Sequence, residues 1–196
     1  GASYGLPEMP QLGLDGMIQD VIRRVRLATR PAFEFGPMGP RDQQQIARAI
    51  SALELAEAPT ALRETLRKSG ARTSRRAPVL GITGTGGAGK SSLTDELLLR
   101  VVRNFPDRNV AVVAMDPTRR RSGGALLGDR IRMNSLAAEQ VFMRSLATRR
   151  QNLATSAVLA DVLELLRYAG FDLIVVETAG IGQSDSEIVD LVDVPL

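Results

Sequence analysis

The octapeptide Gly84-Thr85-Gly86-Gly87-Ala88-Gly89-Lys90-Ser91 constrains this chain more than any other stretch of it. It has the form glycine, four residues, then Gly-Lys-Ser. An apolar run, Val79-Leu80-Gly81-Ile82, precedes it, and behind it Leu93, Leu97, Leu98, Val101 and Val102 recur at helical spacing. A buried strand, a glycine loop and a helix in that order form a turn that cradles phosphate. Glycine reaches backbone angles closed to other residues, so successive N–H groups can converge on one anion, and the helix start adds partial positive charge. The pattern therefore predicts a nucleotide phosphate held by Gly84, Thr85, Gly86, Gly87, Ala88, Gly89, Lys90, Ser91 and Ser92. Lys90 is expected to bridge the terminal phosphates, and the Ser91 hydroxyl to coordinate the accompanying Mg2+. The competing reading is a glycine-rich turn with no ligand, which the surrounding strand and helix argue against.

Composition restricts the chemistry further. The chain has 196 residues, 44% of them hydrophobic, enough for one sizeable core and a small accessory segment. It has no cysteine and no histidine, which excludes disulfides, thiolate metal sites and the usual general base. Any metal must be a hard ion bound through oxygen. No apolar run approaches the ~20 residues of a membrane span, and no basic-then-apolar leader opens the chain, so a cytoplasmic protein without a membrane partner is expected. The net charge of +3 comes almost wholly from arginine, with lysine only at 68 and 90. The basic runs at 23–24, 75–76, 119–121 and 149–150 are scattered and almost free of interleaved aromatics. They read as solvated faces and phosphate contacts rather than a nucleic-acid surface.

Residues 1–11 are unpatterned, while Leu14, Met17, Ile18, Val21, Ile22 and Val25 trace one helical face. A break at Pro31 to Pro40 separates this from a helix over 43–56, with Ile46, Ile50 and Leu53 inward, and a shorter one over 60–68. A polar stretch from Ser69 then leads into the nucleotide domain near Pro78. Val110 to Met115 is a continuous apolar run of the kind found in parallel strands buried on both faces. It ends on Asp116, a carboxylate at the sheet edge where α/β folds bind ligands and Mg2+ needs oxygens; a turn-forming aspartate before Pro117 is the alternative. Arg119 to Gly128 reads as a loop that closes on phosphates and delivers Asp129 and Arg132. Helices are predicted over about 135–147 and 154–168. Leu173 to Val176 is another buried strand, ending in Glu177-Thr178-Ala179-Gly180. An acid after such a strand holds the metal through water or orients the attacking water. The small residues 179–184 can then respond to a γ-phosphate. The predicted fold is thus α/β, a phosphate-loop nucleoside triphosphatase with a parallel sheet flanked by helices and a helical linker before it. Three strands are clear and 189–196 opens a fourth, so the domain reads as C-terminally truncated.

Taken together, Gly84 to Ser92, Met115 to Thr118, Gly123 to Arg130 and Glu177 to Ser184 resemble the GTPase chaperones of adenosylcobalamin-dependent acyl-CoA mutases. The likeness spans about 78–196. Ala179 stands where valine is commoner, as in the versions fused into the mutase. Leu12-Gly13-Leu14-Asp15-Gly16-Met17-Ile18 is similar to the last helix of a cobalamin-binding domain, which in fused isobutyryl-CoA mutases precedes a helical linker and the GTPase domain. The resemblance implies three parts: 1–30 as the tail of a cobalamin domain, 31–77 as linker, and 78–196 as the first part of the GTPase.

It also implies Mg2+-dependent GTP hydrolysis that gates adenosylcobalamin loading and protects the mutase, with GTP or GDP as ligand and a homodimeric parent that is also the isomerase. On that pattern Lys90, Glu177 and Arg132 act in hydrolysis, and Arg132 reaches the nucleotide. Ser91, Asp116, Asp129, Glu177 and Thr178 gather around the metal. No Asn-Lys-x-Asp element for reading guanine occurs in these residues, so the preference for GTP rests on the resemblance. The cobalamin cannot be ligated by a chain without histidine. A stand-alone chaperone of methylmalonyl-CoA mutase and a small-molecule kinase are the other readings. A nickel-insertion GTPase is disfavoured by the lack of His and Cys. Residues 1–70 also read as an interaction arm beside a nucleotide switch.

Overall fold

The computed structural model describes residues 13, 15–20, 22, 33–70, 76–117, 133–148, 152–180 and 188–196. Two compact units divide the chain, residues 1–32 and 33–196. The described positions of the first are helical, as its periodicity predicts, with Ile18 and Ile22 exposed and Asp20 buried.

The second unit is built on one parallel sheet. Its strands are β1 (Val79–Ile82), β2 (Val110–Pro117), β3 (Val141–Thr148), β4 (Leu173–Glu177) and β5 (Val194–Pro195), in the order β3-β2-β4-β1-β5. The helices are α1 (Gln43–Glu54), α2 (Thr60–Gly70), α3 (Lys90–Asn104) and α4 (Asn152–Tyr168), and a 3-10 turn spans Asn134–Ala137. β2 shows why the sheet has two covered faces. Ala111, Val113 and Met115 enter one core with Ile46, Leu62 and Leu159 from α1, α2 and α4. Val110, Val112 and Ala114 enter the other with Leu98 from α3. Strands buried on both faces carry continuous apolar runs, which is the signal that located β1, β2 and β4.

One expected element is different. The segment over 135–147, read as helical, is the 3-10 turn followed by strand β3, which pairs with β2 from Val110↔Val141 to Pro117↔Thr148. Phe142 and Leu146 face one core, Val141 and Met143 the other. Apolar residues at 141, 142, 143 and 146 satisfy a helical spacing as well as a doubly buried strand, and burial on both faces decides for the strand. The sheet accordingly has five strands. Helices α1 and α2 pack in the same core as the strands. Helix α1 is held to the sheet edge by polar contacts as well. The Arg144 guanidinium on β3 donates to Glu54 Oε2 at 2.5 Å and to Ser51 Oγ at 3.0 Å.

Parallel strands bring their carboxyl ends to one edge. Ile82 pairs with Glu177, and Ala114 pairs with Glu177 from the other side. The end of β4 is therefore flanked by the start of the glycine loop and by the end of β2.

Candidate functional site

The loop between β1 and α3 closes on itself through local bonds. The Ala88 amide donates to the Thr85 carbonyl at 3.2 Å, and Gly87 and Gly89 take left-handed angles, φ 80° and 89°. Gly89 occupies the N-cap position of α3, and no side chain caps the helix. The first amides of α3 thus lack a side-chain acceptor, and a helix start in that condition favours an anion. A Cβ placed on Gly86, Gly87 or Gly89 would meet nothing within 4 Å. These three glycines line a cavity of about 720 Å³ together with Lys90, Ser91 and Glu177.

Lys90 turns back over its own loop, its Nζ donating to the carbonyls of Gly84 at 2.8 Å and Thr85 at 3.0 Å. The ammonium is thereby poised beside the same backbone that presents the amides. Ser91, one residue further, places Oγ 2.5 Å from Glu177 Oε1. The other carboxylate oxygen, Oε2, is 3.0 Å from Thr94 Oγ1. Glu177 is only 7% exposed, and a buried carboxylate must be hydrogen-bonded to persist as an anion. Two hydroxyls of α3 satisfy it, three residues apart and on one helical face.

Next to Glu177, Thr178 is 3% exposed, its amide donating to the Ile82 carbonyl at 3.0 Å. Its Oγ1 is buried with no hydrogen-bond partner, and the residue lines the cavity. Gly180 lies against the loop. Its carbonyl accepts from the Gly86 amide at 3.2 Å, and it has φ +72°. A Cβ there would sit 2.6 Å from both the Gly84 oxygen and Lys90 Nζ, so only glycine fits.

The far wall of the cavity is tied down by Asp95 on α3. Its carboxylate accepts from the Ser135 amide at 2.9 Å and the Asn134 amide at 3.2 Å, capping the 3-10 turn that follows Met133. Burial acts to raise the Asp95 pKa, but these hydrogen bonds outweigh it and hold the carboxyl below its ordinary 3.8.

The structure brings together the loop residues 84–92, Glu177 and Thr178 of the predicted site. Asp116 is the penultimate residue of β2, at the same sheet edge and in register with Ala147. Asp129 and Arg132, like residues 181–187, lie outside the described residues. Thr94 and Asp95 went unnoticed in the sequence because they sit inside an apolar helical pattern. The available signal was spacing alone, as Thr94 and Asp95 follow Ser91 by three and four positions.

Among the described residues no group of three or more Asp, Glu, His or Cys is placed to cage a metal. The donor set that is present, one hydroxyl, one carboxylate and an orphaned buried hydroxyl, is all oxygen. It fits Mg2+, which keeps several waters and takes phosphate oxygens along with one or two protein ligands.

Comparison with known proteins follows the same lines. The family model described as methylmalonyl Co-A mutase-associated GTPase MeaB matches residues 46–196. The chain is 44% identical over 194 residues to the fused isobutyryl-CoA mutase of Geobacillus kaustophilus, covering 95% of this chain and 18% of that protein. It is 50% identical over 190 residues to the fused isobutyryl-CoA mutase of Nocardia farcinica, covering 95% and 17%. Against the GTPase ArgK of Escherichia coli it is 40% identical over 115 residues, 58% of this chain and 34% of the relative. The chain thus spans less than a fifth of the fused mutases it matches.

Proposed function

Since the chain belongs to the MeaB family of methylmalonyl-CoA mutase-associated GTPases, we propose that it is the GTP-hydrolysing part of a fused isobutyryl-CoA mutase. In this reading Mg2+-dependent hydrolysis gates adenosylcobalamin loading and protects the mutase. The observation that carries it is the contact between Ser91 of the phosphate loop and Glu177 at the end of β4, 2.5 Å apart. It joins the group that meets a nucleotide's metal to the group that meets its attacking water.

The chemistry needs no histidine base. Phosphoryl transfer is accelerated by positioning and charge stabilisation, and the site supplies both. The amides from Gly84 to Ser92 and the start of α3 bind the phosphates, while Lys90 exchanges the carbonyls of Gly84 and Thr85 for the β- and γ-phosphate oxygens. Ser91 and Glu177 would hold Mg2+, with Asp116, Asp129 and Thr178 as further oxygen contacts. When bound, that ion neutralises charge on the phosphate oxygens. Glu177, fixed by two hydroxyls, orients the water, and Arg132 adds positive charge. Gly180, hydrogen-bonded to the loop at Gly86, couples the occupied site to the residues after β4.

Similarity to fused mutases over 95% of the chain, including residues before the family match begins at 46, supports the fused form over a stand-alone chaperone. The mutase activity, the homodimer and the cytoplasmic setting belong to the same proposal for the parent protein. Calorimetric titration of the full-length protein with GDP and ATP in Mg2+ tests the reading. Tight GDP binding with no ATP binding is expected. A preference for ATP, with phosphate passed to a small molecule instead of water, would overturn it in favour of a kinase.

A further inference from the structure

The carboxylate of Glu177 is held at both oxygens, and the two holders are not equivalent. Oε1 meets Ser91 at the cavity, whereas Oε2 meets Thr94. Thr94 has no exposed surface at all. Its hydroxyl has one proton and two acceptors in reach, Glu177 Oε2 at 3.0 Å and the Lys90 carbonyl at 2.9 Å. The Lys90 carbonyl is the ordinary i−4 partner of a helical threonine, but a carboxylate is the stronger acceptor. A proton given to Oε2 fixes the carboxylate plane and leaves Oε1 facing Ser91. Without it, Oε2 would be a buried charged oxygen with no donor, and the carboxylate would rotate to find one.

We propose that Thr94 is a positioning residue for the metal-nucleotide site, acting through Glu177 by holding its carboxylate turned toward Ser91. The inference rests on the Mg2+-nucleotide reading above and adds to it a residue outside the phosphate-loop motif. Groups that orient a metal's ligands in this way are worth about 10- to 100-fold in metal affinity. The effect should therefore appear in how much Mg2+ strengthens nucleotide binding, and not in nucleotide binding alone.

The test is calorimetric titration of the full-length protein with a non-hydrolysable GTP analogue, in Mg2+ and in EDTA. Thr94→Val should bind within about twofold of wild type in EDTA and lose about 10-fold or more of the gain that Mg2+ confers. Thr94→Ser, which keeps the hydroxyl and drops the methyl, should retain the whole gain. If Thr94→Val keeps the gain, or if Thr94→Ser loses it, the residue serves packing and the inference fails. Where the valine variant does not fold, Thr94→Ala takes its place, with the same loss of the Mg2+ gain expected and retention of it overturning the inference. A wild-type protein that binds the analogue equally with and without Mg2+ overturns the underlying reading, and the inference falls with it. Retention of the gain by Thr94→Val in a Mg2+-responsive protein overturns the inference alone.

Discussion

At the residue scale, the site depends on a few atoms whose positions admit little substitution. On the proposed reading, Lys90 is the group that would exchange loop carbonyls for phosphate oxygens. Lys90→Ala should reduce GTP hydrolysis by the full-length protein at least about 100-fold, the scale set by losing one preorganised charge-stabilising donor. Its thermal unfolding should be unchanged, since among the described residues the ammonium hydrogen-bonds to loop carbonyls that a solvent molecule can serve equally. Gly180 is constrained by contact and by backbone angle together. Gly180→Ala should lower hydrolysis because its methyl would collide with the Gly84 oxygen and Lys90 Nζ; wild-type turnover in that variant would show that the turn is free to move away. Asp95 makes a prediction about pH. Its folded-state pKa lies below the ordinary value, so it contributes stability above the unfolded pKa of about 3.9, lost as pH falls through the folded value. Wild type should therefore exceed Asp95→Asn in stability at neutral pH. The difference should close below about pH 4, as read from urea unfolding at several pH values.

At the element scale, what was legible in the sequence divides by the range of the contacts involved. The loop and the strand ending at Glu177 announce themselves because their chemistry is contiguous: glycines where an anion binds, and an acid at the end of an apolar run. β3 does not. Its one charged residue, Arg144, interrupts an apolar segment and suggests an exposed helical face. Its partners, Glu54 and Ser51, lie 90 or more positions away in the chain. The same is true of Thr94, whose partner Glu177 is 83 residues distant, and of Asp95, which caps a turn 40 residues downstream. Helix α3 illustrates the energetics. Leu98 is fully buried on the sheet face that α3 covers, and Leu98→Ala should cost about 2–5 kcal/mol of unfolding free energy. Leu98 packs with Ala114, Met133 and Met143, which also line the cavity, so nucleotide affinity should weaken together with stability.

At the scale of the whole molecule, the sheet needs cover on both faces. α3 supplies it on one side; α1, α2 and α4 supply it on the other. Reading the GTPase domain as starting at Pro78 leaves two of those helices outside. A fragment beginning at Phe33 should fold cooperatively, as judged by circular dichroism on heating. One beginning at Pro78 should not, because the partners of Ile46, Ile50, Leu53, Leu62 and Leu66 would face water. Cooperative melting of the shorter fragment would show that the two helices are dispensable. No helix among the described residues is long and apolar enough to cross a membrane.

The Gly86 amide and the Gly180 carbonyl share a single hydrogen bond, and on the proposed reading that amide belongs to the loop that receives phosphate. Occupancy of the loop is then a competition between two acceptors for one donor. Whatever strengthens the internal bond weakens the nucleotide by the same free energy, on the order of 1 kcal/mol for a neutral backbone pair. By reciprocity, a nucleotide that takes the amide loosens the turn after β4 to an equal degree. On the proposed reading, nucleotide binding and release of the turn after β4 would be drawn from one quantity, and a variant that improves either one at this contact would alter the other.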